Sequence, residues 1–341
     1  MHKSIINSSK IMLITFSIIL TLLYPHLCFS SEKKISNCKP ISVTVDEKPI
    51  KNGDIVYIKT LPKMPKIEAK YNSEHNEKIT WKLKVLFKRK NRNDIPSFQK
   101  TVNDDNTLNS NEFDEVYVGG ITLIEASDNK GNKDFFTFQI RAKNPSNQEV
   151  HDYIGDTPWY SKAIARHESG QQNKQYYCQF NEIGTLGKNY INDIKYTPNR
   201  SSDKIGWGIY QITLPKPTHS ELWNWQKNID KGKVIINDKR KLAQSYFDAV
   251  KRTFPDKYEA PPTYTPKGCK TELSALDTAS IQLFNGASVQ EALSNNFGSN
   301  SIFISCWKFY PNKPPGQRWK FIPNRNEYVL RIISTYESMQ E

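Results

Sequence analysis

The part of the chain that follows the first thirty residues alternates between apolar and polar positions. From 79 to 87 every odd position is apolar and every even position is polar except Leu86. Shorter runs of the same kind lie at 41–45 and 136–140, and residues 128–132, Asp-Asn-Lys-Gly-Asn, have the composition of a turn. A period of two predicts strands with one buried face and one solvent-exposed face. Residues 31–148 are therefore predicted to form a β-sandwich.

The pattern becomes helical beyond residues 144–147, Asn-Pro-Ser-Asn, which we interpret as a linker. Thr157-Pro158 predicts a helix start, with the helix over 158–169 and its end at Gly170. The remaining helices are predicted as one or two over 219–253, one over 271–284 and one over 326–338. The long connection at 170–204 is predicted to carry function.

Residues 1–30 have the features of an export signal. Lys3 and Lys10 make the start basic, residues 11–23 form an apolar run, and small residues near Ser30 predict cleavage there. The apolar run is short for a membrane span, although an uncleaved anchor is the alternative. The predicted organisation is a signal peptide at 1–30, a β-domain at 31–148 and an α-rich domain at 149–341. We therefore expect a periplasmic or secreted protein.

Composition and charge narrow the classes of partner. The chain is 37% hydrophobic and 24% charged, which is typical of a globular protein, and its formal net charge is +13. A basic exported protein suits an anionic polymer or surface. The sequence has no nucleic-acid-binding motif, and predicted export also argues against a nucleic acid as partner.

Four cysteines follow the predicted signal: Cys38, Cys178, Cys269 and Cys306. They lack the CxxC spacing of zinc sites, whereas an exported protein can form disulfides. We expect one bridge among the last three, with the pairing left open.

The stretch IARHESG at 164–170 places Glu168 at the end of a predicted helix. That end of a helix is electronegative, so a carboxylate there is poorly placed for stability. Considered alone, Glu168 is most simply interpreted as an exposed helix-end acid. His167-Glu168 is not a metalloprotease motif, because Gln171 occupies the position of the second histidine.

Further segments change this interpretation. They are GWGIYQI at 206–212, LWNWQKNI at 222–229, ASIQLFNGA at 279–287 and EYVLRI at 327–332. Together with Glu168-Ser169, and in this order, they resemble the lysozyme-like lytic transglycosylases and goose-type lysozymes over residues 155–338. The resemblance implies a C-terminal α-rich lysozyme-like domain, and the N-terminal half broadly resembles an immunoglobulin-like all-β sandwich.

What the resemblance implies is cleavage of the β-1,4 bond between N-acetylmuramic acid and N-acetylglucosamine in peptidoglycan. Glu168 would act as general acid and then as base, giving a 1,6-anhydro product without consuming water. Apolar walls, with Trp207 as one, would keep the acid protonated. No metal or organic cofactor is implied, and the β-sandwich would serve as a spacer or contact an envelope protein.

Two alternatives remain open from the sequence. A goose-type-like hydrolytic muramidase would use a second carboxylate, for which Asp203 is the candidate. A non-catalytic protein could instead bind the cell wall through the same domain.

The resemblance also implies a set of substrate-binding positions: Ser169, Gly206, Trp207, Gly208, Tyr210, Gln211, Asn228, Asn285 and Tyr328. Several of them have a simpler structural interpretation, such as an amide that satisfies loop backbone groups. The chain departs from the family pattern where Phe284 replaces a tyrosine and Tyr210 replaces a methionine. Of Trp223 and Trp225, we expect one in the core and the other as a sugar-stacking platform.

Overall fold

The structure is a computed structural model that describes residues 41–341 with gaps at 73–77, 88–97, 106, 110–115, 157, 171–176, 182–197, 199–205, 286–301, 304–305 and 325–326. Residues 41–341 form one compact unit. The predicted export signal and Cys38 lie outside the described residues. Within the described ranges, every helix is too short or too polar to cross a membrane.

The N-terminal part is built from strands in two sheets. Strands β1 (Ile41–Val45), β2 (Lys48–Ile50), β4 (Ile67–Tyr71) and β7 (Thr107–Asn109) form an antiparallel sheet in the order β2-β1-β4-β7. The second sheet has the order β3-β9-β8-β5-β6. Its strands are β3 (Ile55–Ile58), β5 (Lys78–Leu86), β6 (Phe98–Asp105), β8 (Gly120–Ser127) and β9 (Lys133–Ala142). Only the β3–β9 pair of this sheet is parallel.

The alternating pattern of the sequence explains these sheets. Along β5 the odd positions are buried and the even positions are accessible, and Trp81 is fully buried. The inward side chains of both sheets belong to one hydrophobic cluster. The predicted turn joins β8 to β9, where the Asp128 carboxylate accepts hydrogen bonds from the N–H groups of Lys130 and Asn132. The predictions of strands and of this turn are confirmed.

The C-terminal part is helix-rich. Its helices are α1 (Asn147–Ile154), α2 (Ser161–Ser169), α3 (His219–Trp223), α4 (Trp225–Thr253), α5 (Ala275–Phe284) and α6 (Tyr328–Gln340). The predicted 219–253 segment is two helices, because the Asn224 side chain caps α4 by accepting from the N–H groups of Gln226 and Lys227. The predicted linker contains the cap of α1, where Ser146 and Glu149 form a capping box.

A small antiparallel sheet lies between α5 and α6 in the chain and was not predicted from the sequence. Its strands are β10 (Ile302–Phe303), β11 (Trp307–Phe309) and β12 (Trp319–Phe321), in that order. Aromatic side chains from its inner face join a buried cluster with Tyr246 and Phe247 of α4. The strands are very short, which explains why no periodic signal marks them in the sequence.

The β-rich and helix-rich parts share hydrophobic packing. Trp223, at the end of α3, belongs to the cluster of the sheets and packs edge-on against Phe87 at 5.2 Å. A Cβ on Gly119 would come within 2.4 Å of the Trp223 ring, so glycine permits this approach. The Asn144 side chain forms two hydrogen bonds with the backbone of Phe180. Its Oδ1 accepts from the Phe180 N–H at 2.7 Å, and its Nδ2 donates to the Phe180 carbonyl at 2.8 Å.

The expected disulfide in the second half is not formed. Within the described part of the chain, Cys178, Cys269 and Cys306 form no bridge with one another. Cys306 is fully buried in the cluster of the small sheet, whereas Cys269 packs against another cluster and contacts Ser334 Oγ at 3.7 Å. The prediction was wrong because export permits a disulfide but does not bring thiols together.

Candidate active site

Glu168 lies in the last turn of α2, and its side chain is half-buried. The phenolic hydroxyl of Tyr328 donates a hydrogen bond to its Oε1 at 2.5 Å. Tyr328 is the first residue of α6 and is 3% exposed. Two helices separated by about half the chain therefore meet at one carboxylate.

The surroundings of Tyr328 keep its hydroxyl group protonated, so that it donates a hydrogen bond. Burial and the neighbouring Glu168 carboxylate raise the pKa of Tyr328 well above its ordinary value. The His167 ring packs edge-on against the Tyr328 ring at 5.6 Å. Burial, with a smaller contribution from Arg331, lowers the pKa of His167. A neutral imidazole and a protonated phenol thus flank the acid near neutral pH.

Ser169 anchors the end of α2 to the segment that follows. Its hydroxyl donates to the Ala165 carbonyl at 2.8 Å and accepts from the Cys178 N–H at 3.2 Å. The side chain is 5% exposed. Its contacts are those of a residue that holds residues 177–181 beside the helix end.

The GWGIYQI segment forms a tight turn that requires glycine. Gly208 has φ +74°, and a Cβ there would lie 2.4 Å from Asn228 Nδ2 and 2.5 Å from Gln179 Oε1. A Cβ on Gly206 would lie 2.6 Å from the Gln211 carbonyl oxygen. The two glycines therefore let the backbone fold back on itself against buried amides.

Two buried amides hold this turn in place. Asn228 Oδ1 accepts from the Tyr210 N–H at 3.1 Å, and its Nδ2 donates to the Trp207 carbonyl at 3.2 Å. Gln179 Oε1 accepts from the Ile209 N–H at 3.1 Å, and its Nε2 donates to the Leu222 carbonyl at 2.9 Å. These contacts favour the structural interpretation of Asn228.

Sequence reasoning missed Gln179 altogether. It lies in the long connection between α2 and α3, where only an aligned family pattern would have marked it. Its role appears only once the turn and α3 are brought together around its amide.

Gln211 ends the turn with one polar atom unused. The residue has φ +47°, and its Nε2 donates to the Gly208 carbonyl at 2.6 Å. Its Oε1 is buried and has no hydrogen-bond partner within the described part of the chain. A buried acceptor without a donor is costly, so a ligand donor at this position would be favoured.

Tyr210 connects the turn to the helix that carries Glu168. Its hydroxyl donates to the Ser161 carbonyl at 3.2 Å, at the start of α2. Its ring packs edge-on against Phe284 at 6.2 Å and lies against Gly232 of α4, where a Cβ would come within 2.2 Å of the ring. Tyr210 is almost fully buried, so its ring is core and not a groove surface.

The tryptophans of the candidate segments are buried. Trp207 is 6% exposed and packs with the cluster of the sheets. Trp223 and Trp225 are both buried, and Trp225 Nε1 donates to the Thr60 carbonyl at 2.6 Å. The prediction that one of this pair offers a sugar platform was wrong. The helix breaks at the intervening Asn224, so both rings turn inward.

The last two candidates from the sequence are Asn285 and Asp203. Asn285 directly follows α5 and is exposed. Asp203 lies outside the described residues. Among the described residues, no group of three or more His, Cys, Asp or Glu side chains could hold a metal ion.

Comparison with known proteins found no match: no model of a protein family, no curated protein and no solved structure is similar to this chain. The candidate site holds a half-buried carboxyl group that accepts from a phenol. The helix that carries this group is bonded through Tyr210 to a turn in which, among the described residues, Gln211 Oε1 has no donor.

Proposed function

We propose that the protein is an exported peptidoglycan lytic transglycosylase. In this proposal an immunoglobulin-like sandwich precedes a lysozyme-like domain that cleaves the β-1,4 bond between N-acetylmuramic acid and N-acetylglucosamine. The observation that supports it most directly is the 2.5 Å hydrogen bond from Tyr328 to Glu168. It unites the first and last of the sequence segments that carry the family resemblance.

In the proposed reaction Glu168 first gives its proton to the glycosidic oxygen that leaves. The same carboxylate then takes the proton of the sugar's own hydroxyl at carbon six, whose oxygen closes the anhydro ring. No water is consumed, and Glu168 ends protonated as it began, now with the proton of the carbon-six hydroxyl. A single carboxyl group thus serves both steps.

The surroundings of Glu168 suit an acid that must exist in both forms. The carbonyl end of α2 disfavours a negative charge next to it, which favours the protonated acid of the first step. The donated hydrogen bond from Tyr328 stabilises the carboxylate that follows. The candidate contact with substrate is Gln211, whose Oε1 has no donor among the described residues and would accept from a sugar hydroxyl or amide.

The test is digestion of purified peptidoglycan, with mass spectrometry of the released fragments. A 1,6-anhydro end weighs one water less than a hydrolysed end. Glu168→Gln keeps the size of the side chain but cannot donate the proton, and we expect activity to fall by at least ~100-fold with folding retained. Asp238→Asn, which removes an exposed carboxylate on α4, is the matched control.

Each result separates the candidate functions. Anhydro ends support the transglycosylase, whereas reducing ends indicate the hydrolytic muramidase that would need Asp203. If neither the wild-type protein nor Glu168→Gln cleaves walls and both sediment with them, the protein is a wall-binding protein. Near-normal cleavage by Glu168→Gln would overturn the mechanism.

A further inference from the structure

The helix α2, which carries Glu168, is held at both of its ends by hydrogen bonds to other segments. At its start, the hydroxyl of Tyr210 in the turn at 206–212 donates to the Ser161 carbonyl at 3.2 Å. Its last residue is Ser169, the neighbour of Glu168, and the Ser169 hydroxyl accepts from the segment that follows. The position of Glu168 therefore depends on what fixes that segment.

Gln179 joins this segment to the turn. The Cys178 N–H donates to Ser169 Oγ at 3.2 Å, so Gln179 lies one residue from the bond to the end of α2. Its Oε1 accepts from the Ile209 N–H at 3.1 Å, and its Nε2 donates to the Leu222 carbonyl at 2.9 Å. One side chain thus connects the segment bonded to α2 with the turn and with the last part of α3.

The burial and bonding of Gln179 indicate a link between segments and not a contact with substrate. The side chain is fully buried, so no ligand reaches it in this arrangement. A buried amide is costly unless its polar groups are bonded, whereas an apolar side chain would fill the same space without that requirement. A Cβ on Gly208, which has φ +74°, would lie 2.5 Å from Gln179 Oε1. The amide and the glycine together therefore stabilise one geometry of the turn.

We propose that Gln179 is a positioning residue, because its amide fixes the end of α2, and with it Glu168, relative to the turn at 206–212. This role rests on the proposed function, in which Glu168 transfers the proton. Proton transfer requires the acid to lie within hydrogen-bonding distance of the glycosidic oxygen, so a small displacement of α2 lowers the rate. The loss should appear in kcat with KM little changed, since Gln179 itself does not contact the glycan.

The experiment is steady-state cleavage of soluble, uncrosslinked glycan strands by Gln179→Met, which keeps the length of the side chain and removes its hydrogen bonds. We expect kcat to fall by roughly 10-fold and KM to change by less than ~2-fold. Gln282→Met is the matched control, because Gln282 of α5 is also fully buried and its Nε2 donates to the Ile322 carbonyl at 3.0 Å. The control should lower the melting temperature too, yet leave kcat within ~2-fold of the wild type.

Gln179→Glu provides a rescue that a packing role alone would not show. A protonated carboxyl group offers a donor and an acceptor, the two kinds of bond that Gln179 makes, whereas an ionised carboxylate only accepts. Burial favours the protonated form, and acid pH favours it further. The kcat of Gln179→Glu, divided by that of the wild type at the same pH, should therefore approach one at pH 5. A ratio as low as that of Gln179→Met at pH 5 would contradict the role of the amide bonds.

Hydrogen exchange measures the positioning without any glycan. Gln179→Met should raise amide exchange at 206–212 and at the end of α2 more than Gln282→Met does. The proposal is overturned if exchange at both places is unchanged, or if the control lowers kcat as much as Gln179→Met. If the wild type does not cleave glycan strands, the proposed function is wrong, and the exchange result alone decides whether Gln179 fixes the end of α2.

Discussion

At the residue scale, the position of one carboxyl group depends on one phenol. The end of α2 is an unfavourable place for a negative charge, yet Glu168 is half-buried there. The Tyr328 hydroxyl, whose own ionisation is suppressed by burial, supplies a permanent donor. The arrangement stabilises one rotamer of the acid at the cost of ordering two side chains.

Tyr328→Phe tests this pairing. Removing the hydroxyl deletes a hydrogen bond to a half-buried carboxyl group, so we expect a loss of about 1–3 kcal/mol in the free energy of unfolding. In glycan cleavage kcat should fall by roughly 10-fold with KM little changed, because the acid is less well positioned. Urea unfolding and steady-state kinetics measure the two effects.

Tyr336→Phe on the same helix is the control, since the Tyr336 ring packs against Trp159 at 4.6 Å. Equal losses in both variants would show that the Tyr328 hydroxyl has no special role.

His167 predicts a dependence of stability on pH. Burial lowers its pKa from the ordinary value of 6.5, so the folded chain binds this proton only at lower pH than the unfolded chain does. The unfolded state therefore gains protons first as pH falls, and stability declines from about pH 6.5 downward. Above that range both states are neutral at this residue and its effect vanishes.

The measurement is the urea midpoint between pH 7.5 and pH 5. His167→Gln should lose less stability over this range than the wild type. His219 is shifted in the same direction by burial, so the double variant should lose less still. The prediction would be contradicted if the urea midpoint of the wild type rose on acidification. It would also be contradicted if the midpoint changed with pH as much in both variants as in the wild type.

At the scale of elements, the turn at 206–212 organises the candidate site. Its backbone is bonded to Gln179 and Asn228, and Tyr210 extends from it to the start of α2. The turn therefore fixes the helix that carries Glu168 relative to α4. Tyr210 and Asn228, for which the resemblance implies substrate contact, thus have a structural role.

Gly232→Ala tests the packing of the turn on α4. Alanine inside a helix is normally favoured over glycine by about 1 kcal/mol. Here the new Cβ would meet the Tyr210 ring at 2.2 Å, and that ring is held by its bond to Ser161. We expect a net destabilisation of about 1–3 kcal/mol, measured by urea unfolding.

A double-mutant cycle with Tyr210→Leu provides the control. Without the ring, Gly232→Ala should become neutral or stabilising, so the two substitutions should be strongly coupled. If the effects of the two substitutions on the free energy of unfolding were additive, the Tyr210 ring would not be the reason that Gly232→Ala destabilises the protein.

At the scale of the whole molecule, Trp223 belongs to the helix-rich part in sequence and to the core of the sheets in space. It packs against Phe87 and Phe180, and Asn144 bonds Phe180 from the segment predicted as a linker. Such shared packing couples the two parts more tightly than a flexible connection would.

Trp223→Ala should therefore destabilise both parts together. Loss of a fully buried tryptophan costs about 3–5 kcal/mol. Thermal unfolding followed in the far ultraviolet, which reports helices, and by tryptophan fluorescence should show one coincident transition in the wild type and one at lower temperature in the variant. Two separated transitions in the wild type would indicate independent domains.

Repetitive patterns of apolar residues were sufficient to predict the strands and helices that contain them. Alternation at 79–87 specified β5 and its buried face, because a period of two places all the apolar side chains on one face of the sheet. Helical spacing with Gly170 beyond its end predicted the end of α2, and Glu168 in its last turn followed from that position. The predicted start at Pro158 was wrong, because the helix begins at Ser161 after Tyr160.

The contacts of those residues depend on how the elements pack in three dimensions. The bond between Glu168 and Tyr328 and the amide of Gln179 beneath the turn both join distant segments. The inward burial of Trp223 and Trp225 reversed an expectation based on their spacing. Periodicity reports which side of an element is apolar, whereas partners depend on how elements pack, and a single chain carries no local signal for that.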